Sequence, residues 1–155
     1  GYHAPERLTL TGVLMNSSNT GMSQLGKALT DQTRYDYLKK FGIGASTGLP
    51  YPNEDSGELH PVKDWDDQTK YATMFGQGVS ATQLQMVSAY QALANGGTRI
   101  PLTMVAGCKQ ADGTITDVPK PTPIPVVSAA AASTTLGMLE SVTTKGELSK
   151  QLNIP

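Results

Sequence analysis

Four prolines at alternate positions, Pro119, Pro121, Pro123 and Pro125, constrain this 155-residue chain more than any other feature. Each locks φ at about −65° and removes a backbone N–H, so no helix runs through them. Residues 119–125 are therefore expected as an extended connector. The connector isolates the alanine-rich stretch that follows. That stretch reads as a helix from Ser128 to Thr144, stopped by Gly146, with a final helical turn leading to Pro155.

A second break falls between residues 42 and 63. Gly44, Gly48, Pro50, Pro52, Gly57 and Pro61 exclude a continuous helix there. The segment reads as a long loop with short extended pieces, of the kind that serves as a lid or as a plain surface excursion.

Helical periodicity dominates elsewhere. Pro5 is placed in the first turn of a helix carrying Leu8, Leu10, Val13 and Leu14. A second helix is expected from Thr20 to Leu29. A third starts at Thr30 or Asp31, spaces Tyr35, Leu38 and Phe41 helically, and stops at Gly42. Beyond the loop, Asp64 is read as the cap of a short helix through Met74, followed by the two-glycine turn Phe75-Gly76-Gln77-Gly78.

Ser80-Ala81-Thr82-Gln83 has the capping-box pattern, in which hydroxyl and carboxamide satisfy each other's exposed amides. The helix it opens reads to Ala94 and ends at Asn95-Gly96-Gly97. Leu84, Met86, Val87, Ala89, Tyr90 and Leu93 surround that helix rather than forming one stripe, so central burial is expected. Residues 98–118 alternate enough for a hairpin turning at Asp112-Gly113. The fold class is therefore mainly α with minor β, in one domain.

Charge and cysteine usage exclude several functions. A net charge of −1 and a pI near 6.1 leave no electrostatic footprint for nucleic acid. Lys39-Lys40, the single adjacent basic pair, reads as a solvated helix end. One cysteine, Cys108, excludes an internal disulfide and a cysteine-based zinc site. With no histidine near it in sequence, it is read as a small semi-buried side chain rather than a nucleophile. His3 and His60 lie in polar, Pro-flanked contexts without partners at metal-ligand spacing, and are expected in solvent. No apolar run approaches the roughly 18–20 residues of a membrane span, and the first residues are not expected to act as a signal peptide.

The polar stretch Asn16-Ser17-Ser18-Asn19-Thr20 separates two apolar-periodic runs. Residues i and i+2 share a side in an extended segment but lie about 200° apart in a helix. Ser17 and Asn19 therefore serve one site only if the stretch is a turn or extended link. A hydroxyl that relays a proton beside an amide that both donates and accepts suits such a site. A plain alternative is that Ser18 or Asn19 is a helix N-cap, worth about 1 kcal/mol. Ser-x-Asn itself arises by chance on the order of 0.3–0.5 times in a chain of this length.

The surrounding order of motifs resembles the class B penicillin-binding proteins, the monofunctional D,D-transpeptidases of division and elongation. Leu14-Met15-Asn16-Ser17-Ser18-Asn19-Thr20-Gly21-Met22 is similar to their helix ending in Ser-Ser-Asn ahead of a small residue and an apolar helix. Tyr37 to Gly44 resembles a tyrosine followed by Phe-Gly-hydrophobic-Gly. Thr47-Gly48-Leu49-Pro50 with Ser56-Gly57 resembles a further stretch, with looser acidic and glycine spacing. Phe75 to Gln85 is similar to aromatic-Gly-x-Gly followed by Thr-Pro-Leu-Gln, although Gln83 stands where the family has proline. Tyr90, Ala92, Ala94 and Asn95-Gly96-Gly97 continue the match, and Met138 to Val142 with Lys145-Gly146 resembles the segment before the last active-site strand.

The resemblance implies the helical lobe of the transpeptidase fold shared by penicillin-binding proteins and serine β-lactamases, with residues 1–155 forming a partial transpeptidase domain. Such proteins combine Ser-x-Asn with Ser-x-x-Lys and Lys-Thr/Ser-Gly. This chain contains neither of the latter two, which would lie before Gly1 and after Pro155. By resemblance, Ser17 is a proton shuttle, Asn19 orients substrate, and Phe75 and Gln77 line the active-site mouth. The implied partners are peptidoglycan stem peptides ending in D-Ala-D-Ala, β-lactams and the remainder of the same domain. No nucleic acid, metal or organic cofactor is implied. The implied setting is the outer face of the bacterial cytoplasmic membrane, with the chain alone inactive. A β-lactam sensor or D,D-carboxypeptidase shares the three motifs, and a non-enzymatic helical module would use Ser-x-Asn only as a cap.

Overall fold

A computed structural model describes residues 7–50, 52–146 and 149. It has the mainly α, minor β character expected, with six α-helices and four two-residue strands among those residues.

Helix α1, Leu10–Met15, starts where Thr9 Oγ1 accepts from the Gly12 amide. Leu8 thus precedes the helix instead of belonging to it, and Pro5 lies outside the described residues. Helix α2, Asn19–Gly26, is capped by Ser18 and ends three residues before Leu29. Helix α3, Asp31–Lys40, is capped by Thr30. Gly42 at φ +96° ends α3: its amide bonds Lys39 O and the Ile43 amide bonds Leu38 O. That paired closure needs a left-handed residue and explains the glycine stop.

Among the described residues, the loop after α3 contains no helix until a 3-10 turn at Val62–Asp64. It is pinned by a bridge in which Glu58 and Ser80 exchange both backbone hydrogen bonds. A Cβ on Gly57 would lie 2.2 Å from Ser80 O, so this approach requires glycine. Helix α4, Asp67–Ala72, is capped by Asp66, whose carboxylate accepts from the Thr69 amide at 2.7 Å. Asp64, the residue expected in that role, sits in the preceding 3-10 turn, and Trp65 intervenes in extended conformation. A second 3-10 turn, Thr73–Phe75, follows α4 and ends at left-handed Gly76.

Helix α5, Gln83–Ala94, opens on a capping box formed by Thr82 and Gln85. The expected box lies two residues earlier, but Ser80 is held by the Glu58 bridge. Strands β1, Thr98–Arg99, and β4, Ile124–Pro125, pair antiparallel, as do β2, Cys108–Lys109, and β3, Ile115–Thr116. The hairpin around Asp112-Gly113 is therefore narrower than 98–118. β1, at the start of the expected span, pairs instead with the end of the proline connector, which tolerates the pairing because Pro125 lies on a two-stranded edge. Cys108 is exposed, contrary to the semi-buried expectation, because both strands of its hairpin are solvent-facing.

Helix α6, Ala129–Lys145, is capped by Ser128 and closed by Gly146. The last turn expected toward Pro155 lies largely outside the described residues. α6 packs on α1 and α5, α5 packs on β1, and α2 packs on the Thr73–Phe75 turn. Ala92 and Ala132 are fully buried, and the remaining apolar core is Val13, Ile43, Trp65 and Val126. Small residues on α5 and α6 permit close axial approach.

α5 departs from the expected central burial. Gln85, Ser88 and Ala92 are buried, whereas Leu84, Met86, Val87 and Tyr90 are exposed. Among the described residues, one face of this helix is covered and the opposite apolar face is not.

Candidate active site

The Ser17–Asn19 stretch is a tight turn between α1 and α2. Ser17 adopts φ +48°, a left-handed conformation that costs a non-glycine residue about 1 kcal/mol. Its amide bonds Leu14 O at 3.1 Å, and the Ser18 amide bonds Val13 O at 3.0 Å. The capping role falls to the middle residue: Ser18 Oγ accepts from the Gly21 amide at 3.1 Å. Asn19 is the first residue of α2. Ser17 and Asn19 are both exposed, and their side chains carry no hydrogen bond among the described residues.

Gly21 positions this turn. A Cβ there would lie 2.7 and 2.9 Å from the two methyl groups of Val13, a core residue of α1. The small residue after Ser-Ser-Asn thus lets α2 seat directly on α1.

Phe75 closes the 3-10 turn and Gln77 follows Gly76. Gly76 and Gly78 adopt φ +83° and +73°, while the Gln77 amide returns to Ala72 O at 2.9 Å. Gln77 is exposed and Phe75 half-buried. No hydrogen bond among the described residues joins Ser17 or Asn19 to Phe75 or Gln77. The connection between the two turns runs through other residues.

The chief connecting residue is Arg34, which the sequence analysis did not single out. It is 7% exposed. Its Nη2 bonds Asp31 Oδ1 at 2.6 Å and Lys70 O at 3.0 Å, its Nε bonds Thr73 Oγ1 at 3.2 Å, and its Nη1 bonds Gly26 O at 3.4 Å. The guanidinium also lies over the Trp65 ring, 5.5 Å from its centroid. The ends of α2 and α4 and the start of the Thr73–Phe75 turn therefore meet on one cation, which also suits the negative ends of both helices.

Two further clusters fix the long loop. Gln85, 1% exposed, donates to Ala45 O and Ser56 O, each at 2.7 Å, and accepts from the Thr82 amide. Glu54 accepts from the Ser46 hydroxyl and from both the hydroxyl and amide of Thr47. The Ser46 hydroxyl, then those Thr47 groups, hold the Glu54 carboxyl below its ordinary value of 4.5.

His60 is exposed and lies 2.8 Å from Glu58. Among the described residues no three His, Cys, Asp or Glu side chains gather as a metal set. No described helix is long and apolar enough to cross a membrane. A groove of about 470 Å³ is lined by Gln91, Ile100, Leu102, Val105, Val118 and Pro121 among others, and by none of the four candidate residues.

Known proteins share this sequence and fold. The penicillin binding protein transpeptidase domain model matches residues 2–154. Penicillin-binding protein PbpB of Mycobacterium tuberculosis is 38% identical over 149 residues, which are 96% of this chain and 22% of that protein. Peptidoglycan D,D-transpeptidase FtsI of Escherichia coli is 39% identical over 98 residues, 63% of this chain and 16% of that protein. The crystal structure of penicillin binding protein 3 from Mycobacterium tuberculosis, complexed with aztreonam, superposes with a TM-score of 0.86 at 38% identity. It covers 96% of this chain and 33% of that one. The chain thus spans about a fifth of the length of these curated relatives. It belongs to the transpeptidase-domain family of the penicillin-binding proteins, with class B members among its relatives, and forms a helical part of that fold.

Proposed function

We propose that this chain is the helical portion of a peptidoglycan D,D-transpeptidase working by serine acyl transfer. In that reading a serine supplied by the rest of the domain attacks the penultimate D-Ala carbonyl of a stem peptide, and the terminal D-Ala leaves as the amine. An amine of a neighbouring stem then resolves the ester. Ser17 relays the proton from the nucleophile to the leaving amine, and Asn19 orients the substrate through its amide. Phe75 and Gln77 line the mouth of the site. β-Lactams acylate the same serine, and no metal or organic cofactor takes part. The setting is the outer face of the bacterial cytoplasmic membrane.

The observation that carries this reading is the division of labour within Ser17-Ser18-Asn19. The middle residue caps α2, which leaves the hydroxyl and amide on either side of it exposed and uncommitted. The uncovered apolar face of α5 supports a docking surface for the remainder of the domain. Without a nucleophile or a Lys-Thr/Ser-Gly strand, the chain alone is inactive. In the full-length parent protein, Asn19→Ala should slow acylation by a labelled penicillin about 10²–10³-fold, the usual loss for one oriented donor. An unchanged rate would reduce Asn19 to the first residue of a helix.

A further inference from the structure

Arg34 is the one buried charged residue among those described, and its partners belong to segments that lead to both candidate turns. α2 runs from Asn19 to Gly26, a rod of about 12 Å at 1.5 Å per residue. Its far end is fixed by Arg34 Nη1 on Gly26 O, and a Cβ on Gly26 would come within 2.5 Å of Met74 Cγ. Across the guanidinium, Lys70 O and Thr73 Oγ1 accept from Nη2 and Nε, and Thr73 opens the turn that ends at Phe75. Asp31 balances the charge, and Trp65 covers the guanidinium face.

We propose that Arg34 is a positioning residue that holds the Ser17–Asn19 turn in register with the Phe75–Gly78 turn; this rests on the function proposed above. The planar fork addresses Gly26, Lys70 and Thr73 in three directions at once, which a lysine ammonium does not reproduce. Loss of that fork frees the α2 rod to shift relative to Phe75 and Gln77. A displacement of 1 Å is enough to slow a transfer reaction about a hundredfold.

The test uses the full-length parent protein and the acylation rate with a labelled penicillin, measured well below the unfolding midpoint of every variant. Arg34→Lys and Thr73→Val probe the two halves of the fork. Val126→Ala, a core change at the residue whose amide bonds Gly97 O, controls for lost stability. Asn19→Ala, run alongside, tests the site itself. Arg34→Lys and Thr73→Val should each slow acylation about tenfold or more, and the double variant should be no slower than the slower single. Val126→Ala should stay within about twofold of the unmodified protein, as expected of a distant site.

Rates for Arg34→Lys and Thr73→Val equal to the Val126→Ala rate would overturn the positioning role, while a slow Asn19→Ala would leave the proposed function standing. A normal rate for Asn19→Ala would reduce Asn19 to the first residue of a helix and overturn the positioning role with it, while acylation of the parent itself would leave serine acyl transfer standing. Should Arg34→Lys fail to fold, Thr73→Val decides by the same criterion, since it leaves the cation paired with Asp31.

Discussion

Three adjacent residues carry opposite demands at the start of α2. Ser18 is structural: its Oγ satisfies the Gly21 amide, so Ser18→Ala should lower stability by about 1 kcal/mol in urea unfolding. Asn19 is exposed at the first helical position and gives the fold little, so Asn19→Ala should change stability by less than about 0.5 kcal/mol while slowing acylation. Equal unfolding costs for both would contradict this division. The polar link between helices is legible in the sequence, because a hydrophilic run breaks two apolar periodicities. Which serine caps is not, since both have the chemistry and only the backbone decides. Arg34 is illegible for a different reason. Its Thr73 partner lies 39 residues away, beyond any local pattern, and an arginine on a polar helix reads as solvent-facing.

Glu54 adds a pH-dependent contact at the same scale. Its folded value lies below 4.5, so the stabilisation it contributes is present above 4.5 and is lost as pH falls through the depressed value. An NMR titration of the Thr47 amide should report a transition below pH 4.5, absent in Glu54→Gln. A midpoint at or above that value would refute the hydrogen-bonded cluster.

At the scale of elements, caps and glycines explain what was readable. α3 and α6 follow their cap and stop residues, Thr30 with Gly42 and Ser128 with Gly146. α5 ends as expected but begins two residues late, because Ser80 is committed to the bridge with Glu58. The proline connector contains no helix, as expected, and its end is recruited by β1, a pairing that no local signal near residue 98 announces. Gln85 ties α5 to the loop through two carbonyls, one of them 40 residues away. Gln85→Leu should therefore cost about 3 kcal/mol or more, because it strands those carbonyls and the Thr82 amide. Urea unfolding measures it, and a loss under about 1 kcal/mol would contradict the tie.

At the scale of the whole molecule, burial on α5 is uneven among the described residues. α5 has apolar residues on several sides, a pattern of central burial, but the described residues cover only the face of Gln85, Ser88 and Ala92. In the proposed reading the rest of the transpeptidase domain covers the other face, in keeping with relatives several times longer than this chain. Val87 is 59% exposed here, yet Val87→Asp should destabilise the full-length parent by about 2 kcal/mol or more, the cost of burying an unpaired charge. Unfolding of the parent measures this, and a change under about 0.5 kcal/mol would place Val87 on an outer surface.

The most direct measurement is the intact mass of the 155-residue chain and of its full-length parent after incubation with the same labelled penicillin. The parent should gain one penicillin and the chain none, because the proposed reading puts the acylated serine outside these residues. A stable adduct on the chain, or a parent that stays unmodified, would contradict the account.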